Sequence, residues 1–266
     1  MITTTLLRPA AGAGPLDPAF ARAGTYVDGL EESYARIVGN EDYLQTVRRT
    51  GGRTESRHLQ SEVFFVRIDE SSAWMMVRSV LKVDGRSVRG SQDRIMTALA
   101  DAPGRRTARL RALADEGARF NIGGLQRNFS DPLLAVTFLD RARRPRFSFD
   151  AAAGNATAGL HRFQFAEQVR PTLIRNGRNG DSIPASGTVD VADDGRILRT
   201  ELQVEVDNQT TAGIRVSFDV DAKLGMAVPA MMEEDYSMGM PVETVISCKA
   251  VYSNFRRFET SARIVP

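Results

Sequence analysis

The chain has 266 residues, 42% of them hydrophobic, which is enough to bury a substantial core, and its 35 basic and 33 acidic residues leave a formal charge of +2. A balance this close to neutral argues against nucleic acid as a partner. One cysteine, Cys248, and two histidines, His58 and His161, leave no intramolecular disulfide and too few ligands for a four-ligand zinc site, so no metal or other cofactor is expected.

All basic residues but Lys82, Lys223 and Lys249 are arginine, which reads as a coding bias before it reads as a surface tuned for anions. No stretch approaches the ~18 consecutive apolar residues of a spanning helix, so no transmembrane segment is expected. Arg8, Pro9 and Pro15 interrupt the start of the chain, which lacks the basic opening and apolar run of a signal peptide. Read literally, the protein is cytoplasmic; a leader lost upstream of Met1 would make it exported or periplasmic. Residues 1–17 read as a flexible segment and 18–266 as one domain.

The first element is a helix: Asp17 supplies an N-cap, Pro18 the first position, and Phe20, Ala23, Val27, Leu30, Tyr34 and Ile37 or Val38 recur at helical spacing up to a stop at Gly39-Asn40. Tyr43 to Arg49, Leu59 to Ile68 and Trp74 to Val83 read as strands, with turns at Gly51-Gly52 and Asp84-Gly85. Helices follow: one after a Ser91 cap, one from Thr107, and a short one opened by Asp131-Pro132. From Arg146 onward the pattern is strand after strand. Leu198, Thr200, Leu202, Val204 and Val206 lie on one side and Arg199, Glu201, Gln203, Glu205 and Asp207 on the other, the signature of a sheet with one wet face. Ile214, Val216, Phe218 and Val220 repeat it, as do Phe258, Thr260, Ala262 and Ile264. The only elements available to cover the dry face are the helices before residue 140. The expected fold is α+β: a long curved antiparallel sheet, an incomplete barrel, wrapped around several helices with the N-terminal helix first.

The chemical motifs have bland readings. His58 and His161 fall in strands without a Gly-x-Ser-x-Gly elbow or a neighbouring triad. Asp190 to Gly195 resembles a calcium loop broken by Ala192, and reads as a hairpin turn. Gly177 to Asp181 is a turn, with no helix behind it to hold a phosphate. Asn128, Asn155 and Asn208 open glycosylation sequons, of consequence only in a eukaryotic secretory pathway. Glu233-Glu234-Asp235 reads as an ion-pair network with Arg256 and Arg257 on a wet face, and Arg141, Arg143, Arg144 and Arg146 as a solvated basic loop. Met226, Met231, Met232, Met238 and Met240, with Met75 and Met76 beside Trp74, are the least bland feature, because methionine adapts to varied apolar surfaces.

Several segments carry a resemblance: Leu59 to Arg67, Val80 to Val88, Ala118 to Gly123, Arg170 to Arg175 and Tyr252-Ser253-Asn254-Phe255-Arg256-Arg257-Phe258. Together they resemble a family of uncharacterised bacterial proteins that are typically exported, which implies a periplasmic setting. The strand-helix-strand plan is similar to the outer-membrane lipoprotein carrier superfamily, whose half-closed barrel binds acyl chains; that similarity concerns architecture alone. The resulting expectation is a non-enzymatic, envelope-associated binding protein. Its concave face, lined by Trp74, Met76, Phe138, Met226, Val228, Met231 and Met232, would accept a lipid, an acyl chain or a lipidated partner protein. Two alternatives stand beside it: an interaction module with a solid core, and a hydrolase built on His58 or His161.

Overall fold

The computed structural model describes residues 17–67, 74–89, 92–125, 127, 130–152, 159–177, 179–207, 209–239, 242–259 and 263–264, with the backbone alone at 31, 32, 67, 74, 103, 259, 263 and 264. The segment 1–16, the Ser91 cap, Thr260, Ala262, Met240 and the sequon asparagines 128, 155 and 208 lie outside these residues.

Helix α1 (Pro18–Tyr34) starts where its sequence directs: the Asp17 carboxylate accepts the Ala19 N–H at 2.7 Å, and Pro18 occupies the first turn. Its buried stripe is Phe20, Ala23, Val27, Leu30 and Tyr34. The helix is shorter than its apolar spacing predicts. Ile37, Val38 and Gly39 belong instead to strand β1 (Ile37–Arg49), which pairs with β2 (Glu55–Arg67) on one side and β13 (Thr244–Glu259) on the other. Two flanking ladders outweigh the weak local preference of two β-branched residues.

Strands β3 (Trp74–Val83) and β4 (Arg86–Ser87) precede the helices α2 (Gln92–Leu99), α3 (Pro103–Ala118) and the single turn α4 (Leu134–Thr137). Helix α3 starts at Pro103 and not near Thr107, because proline itself is suited to the first helical position. The remaining strands are β5 (Phe147–Ala151), β6 (Leu160–Glu167), β7 (Ile174–Arg175), β8 (Ser182–Ile183), β9 (Ala185–Ala192), β10 (Ile197–Asp207), β11 (Thr210–Asp221), β12 (Met226–Met238) and β14 (Arg263–Ile264). One antiparallel sheet runs in the order β4-β3-β2-β1-β13-β12-β11-β10-β9-β6-β5, with β14 joined to β13 and with β7 and β8 forming a separate pair. Its two ends do not pair with each other, so the barrel is incomplete.

The inner face carries one continuous core. Phe20 of α1 meets Phe149 and Phe163 at ring distances of 4.7 and 5.2 Å, and Phe138, just past α4, stacks on Phe147 at 4.5 Å. Aromatic pairs of this kind add ~0.5–1.5 kcal/mol to the gain from area burial alone. A second core lies on the opposite face of the same strands. Val38, Phe64, Val66, Val77 and Phe258 pack there against Ile95, Leu99, Leu110 and Leu113 of α2 and α3, while their neighbours Ile37, Val63 and Phe65 point into the first core. The stretches of β1 to β3 that carry these residues are therefore covered on both faces.

Two of the five register shifts among the described strands fall on β13 and β12. Val38 faces Arg256 and Asn40 faces Ser253, so Asn254 and Phe255 together oppose Gly39 in a β-bulge. Asn254 takes φ +52°, which asparagine tolerates, and a Cβ on Gly39 would lie 2.6 Å from the Phe255 ring. The second irregularity is at Pro229 in β12, where the β11 register slips by one residue. From Met231 onward towards Met226, β12 leaves β13 and the sheet splits. Helix α1 closes the inner side of the split: the Tyr26 hydroxyl accepts the Ala227 N–H at 3.1 Å, and the Tyr34 hydroxyl donates to the Ala227 carbonyl.

Candidate functional site

Alternation along β1 sends Glu41, Tyr43 and Gln45 inward, and the same rule brings Arg78 of β3, Glu234 and Tyr236 of β12, and Cys248 and Tyr252 of β13 onto the inner face. Glu41 and Arg78, 2% and 6% exposed, form a two-pronged ion pair with N–O distances of 2.5 and 2.7 Å. Burial works against the Arg78 charge, but Glu41 overrides it and holds the guanidinium protonated. Its carbon also stands 4.7 Å over the Tyr43 ring. Glu234, fully buried, accepts hydrogen bonds from the hydroxyls of Tyr43 and Tyr236.

Arg127 enters from the segment between α3 and α4. It donates to the Tyr43 hydroxyl at 3.3 Å, the Cys248 sulfur at 2.7 Å, the Ile122 carbonyl at 3.3 Å and the Gln45 side-chain oxygen, and lies 5.5 Å from the Tyr236 ring centre. Burial opposes its charge, while Tyr43, Cys248 and Glu234 favour it, and the balance leaves its pKa raised. Half-buried Asp131 accepts the backbone N–H groups of Leu133 at 2.8 Å and Met76 at 3.2 Å; desolvation raises its pKa, against the pull of those two donors and Arg78.

This network ends at a cleft of about 460 Å³ where β3, α3, the 121–134 segment and β7 meet. Met75, Met76, Leu134, Leu173 and Ile174 form apolar wall, and Arg78, Arg111, Arg127, Asp131 and Arg175 supply charge. Three buried polar atoms at this cleft, Asn121 Oδ1, Arg127 Nε and Ser130 Oγ, have no hydrogen-bond partner among the described residues. Such atoms are completed by water or by a ligand. The volume lies in the range of small-ligand sites.

No protein-family model matches the chain, and no curated protein matches it. Among solved structures, similarity is found to a DUF1329 family protein from Desulfovibrio piger at 10% identity and TM-score 0.35, covering 91% of this chain and 93% of that one. A LolA superfamily protein from Nitrosomonas europaea follows at 8% identity and TM-score 0.31, covering 89% and 94%. An S-type phycobiliprotein lyase from Guillardia theta overlaps at 8% identity and TM-score 0.27, covering 90% and 96%. Likeness at this level carries no functional argument.

The residues expected to line the concave face are dispersed. Phe138, Met226, Val228 and Met232 are 0–7% exposed and sit inside the packed core. Met231 is half-buried, and strand alternation turns it to the outer face with Glu233 and Asp235. Met76 alone borders the cleft, and the Trp74 side chain lies outside the described residues. His58 Nε2 lies 2.7 Å from Asp42, and His161 Nε2 lies 2.8 Å from Asp193, at exposed sites.

The acidic run departs from its expected role. Glu233 and Asp235 pair with Arg215 at 3.7 and 2.7 Å on the wet face, but Glu234 points into the core, and Arg256 pairs with Glu62. In the basic loop, Arg143 is held by Asp140 and Arg146 by Glu167. Arg78, Arg127 and Asp131 were not anticipated. The signal for Arg78 was present: a single arginine in phase with Met76 and Val80 inside an apolar strand. Arg127 and Asp131 lie in an irregular segment, where no periodicity points to burial.

Proposed function

We propose that the protein is a non-enzymatic binding protein whose ligand is amphipathic, an acyl chain or lipidated group, held in the 460 Å³ cleft at the rim of the half-barrel. The observation that carries this reading is the trio of buried, partnerless polar atoms, Asn121 Oδ1, Arg127 Nε and Ser130 Oγ, beside a wall of Met76, Leu134 and Ile174. A ligand with a polar head and an apolar tail satisfies both halves at once. The centre of the concave face is filled, so the tail would lie across the rim and not through the barrel.

The test is native mass spectrometry of protein purified without detergent, together with titration of a fluorescent acyl probe. Ala114→Trp fills the cleft from a half-buried position on α3. Saturable probe binding that this variant abolishes, with unchanged thermal stability, supports the reading. No co-purifying lipid and no saturable binding to the wild type would sink it. The packed concave centre favours one second reading, an interaction module with a solid core. That reading predicts partner capture that survives Ala114→Trp and is lost when Arg256 and Arg257 are replaced.

A further inference from the structure

The split between β12 and β13 opens a second pocket, of about 1110 Å³, on the outer face of the sheet. Lys223 and Leu224, at the β11–β12 turn, border it on one side and Ser253 to Phe258 on the other; Asn40, Asp42, Gln60 and Glu62 form its floor. Those floor residues alternate with the inward-pointing Glu41, Tyr43 and Ser61, of which Glu41 and Ser61 also border the pocket, so it lies mainly on the outer side of the sheet.

Its charge is lopsided. Asp42 is engaged by His58 and Glu62 by Arg256, whereas Arg36, Lys82 and Lys223 are exposed and, among the described residues, have no ion-pair partner. Two of the three lysines in the chain line this one pocket. An independent observation concerns Glu62, which is 9% exposed: its Oε1 accepts from Arg256, but its buried Oε2 has no hydrogen-bond partner among the described residues. A buried carboxylate oxygen left in this way calls for a donor.

We propose that this pocket binds a phosphoester that carries hydroxyl or amine donors beside its phosphate. The three cations without an ion-pair partner among the described residues, Arg36, Lys82 and Lys223, suit a group of up to two negative charges better than a single carboxylate. The donors of the ligand would complete Glu62. Lys82 on β3 and Lys223 at the turn into β12 are separated by four strand spacings, roughly 19 Å. A bare ion cannot span that width, but a phosphate with an attached polyol or amino alcohol can. The chemistry is shared by soluble phosphoesters and by phospholipid headgroups, and Leu44 and Val251, 47% and 46% exposed on the same face, leave the second source open to test. The proposal does not depend on occupancy of the inner cleft.

The experiment titrates the full chain at low salt with inorganic phosphate and with glycerol 3-phosphate by calorimetry, and measures co-sedimentation with phosphatidylglycerol and phosphatidylcholine vesicles. The expected result is saturable binding in which glycerol 3-phosphate exceeds inorganic phosphate. Lys82→Glu with Lys223→Glu, both at exposed positions, weakens it by about tenfold or more. Glu62→Gln retains inorganic phosphate binding but removes the advantage of glycerol 3-phosphate. Association with phosphatidylglycerol vesicles alone, lost in the lysine variant, identifies the headgroup as the source; binding of glycerol 3-phosphate without vesicle association identifies a soluble ligand. Failure to bind either, binding indifferent to the two lysines, or no preference over inorganic phosphate overturns the proposal.

Discussion

Replacing Arg78 by methionine tests whether the inner-face charges hold the fold together. The substitution roughly preserves chain length and removes both hydrogen bonds to Glu41 and the stacking over Tyr43. Glu41, 2% exposed, then keeps a buried charge with no counter-charge beside it. Breaking a buried pair in this way costs ~3–5 kcal/mol, most of it the desolvation of the abandoned partner. For a domain of this size each kcal/mol moves the melting temperature by roughly 2–4 °C, so a fall of about 6–20 °C is expected. Removing both groups, with Glu41→Leu added to Arg78→Met, should return stability to within ~1 kcal/mol of the wild type, because an apolar pair needs no compensation. Urea denaturation of the four proteins of this cycle, followed by circular dichroism, measures both numbers. A single variant that loses less than ~1 kcal/mol, or a double variant as unstable as the single, would refute the reasoning.

Glycine positions separate crowded from open backbone. In Gly187→Ala the new Cβ would lie 1.8 Å from the Glu201 carbonyl oxygen across the β9–β10 ladder, and a loss at or above the ~1–3 kcal/mol of ordinary overpacking is expected in denaturant melts. Gly39→Ala meets the Phe255 ring at 2.6 Å and should lose ~1–3 kcal/mol, the smaller value if the ring tilts. Gly29→Ala, within α1 and with nothing near its Cβ, should instead gain ~0.5–1 kcal/mol. Burial first, and then Glu234, push the Cys248 thiol from 9.0 to about 11, so it should resist thiol reagents at pH 8 until the protein unfolds. A raised folded-state pKa gives stability that is complete below pH 9 and lost as pH rises through about 11, a change of ~2–3 kcal/mol visible in alkaline melts. All five tyrosines are also shifted upward by burial, so phenolate absorbance should appear together with unfolding and not near pH 10.

The meander was legible because period-two alternation is a local property: Leu202 and Val204 turn inward and Gln203 and Glu205 outward, as their spacing directs. What alternation cannot show is a change of phase. Strict alternation from Tyr252 would put Phe258 on the same side, yet the bulge at Asn254 shifts the phase. Tyr252 and Phe255 therefore share the inner core, and Phe258 joins the outer one against Phe64. The closing segment from Tyr252 to Phe258 is thus the one in which a simple reading of faces fails. The helices α2 and α3 fail it in a related way: they cover an outer face that the sequence presents only as a few extra apolar residues, Phe64, Val66 and Val77, out of phase with their strands.

The buried charges also bear on how the centre of the inner face is held together. Glu234 sits midway along β12 and is fixed by Tyr43 and Tyr236, while Arg127 spans from Gln45 to Cys248 across the same face. Opening the centre of the half-barrel would separate these partners and strand a carboxylate and a guanidinium in apolar surroundings, at several kcal/mol each. A change that only moves side chains at the rim avoids this. The apolar wall of Met76, Leu134 and Ile174 lies beyond the last ion pair, so the tail of the ligand proposed above would enter with Glu41–Arg78 and Arg127 intact. Met226 and Met232, by contrast, sit in packed core, where a change of side-chain position would disturb their neighbours as well.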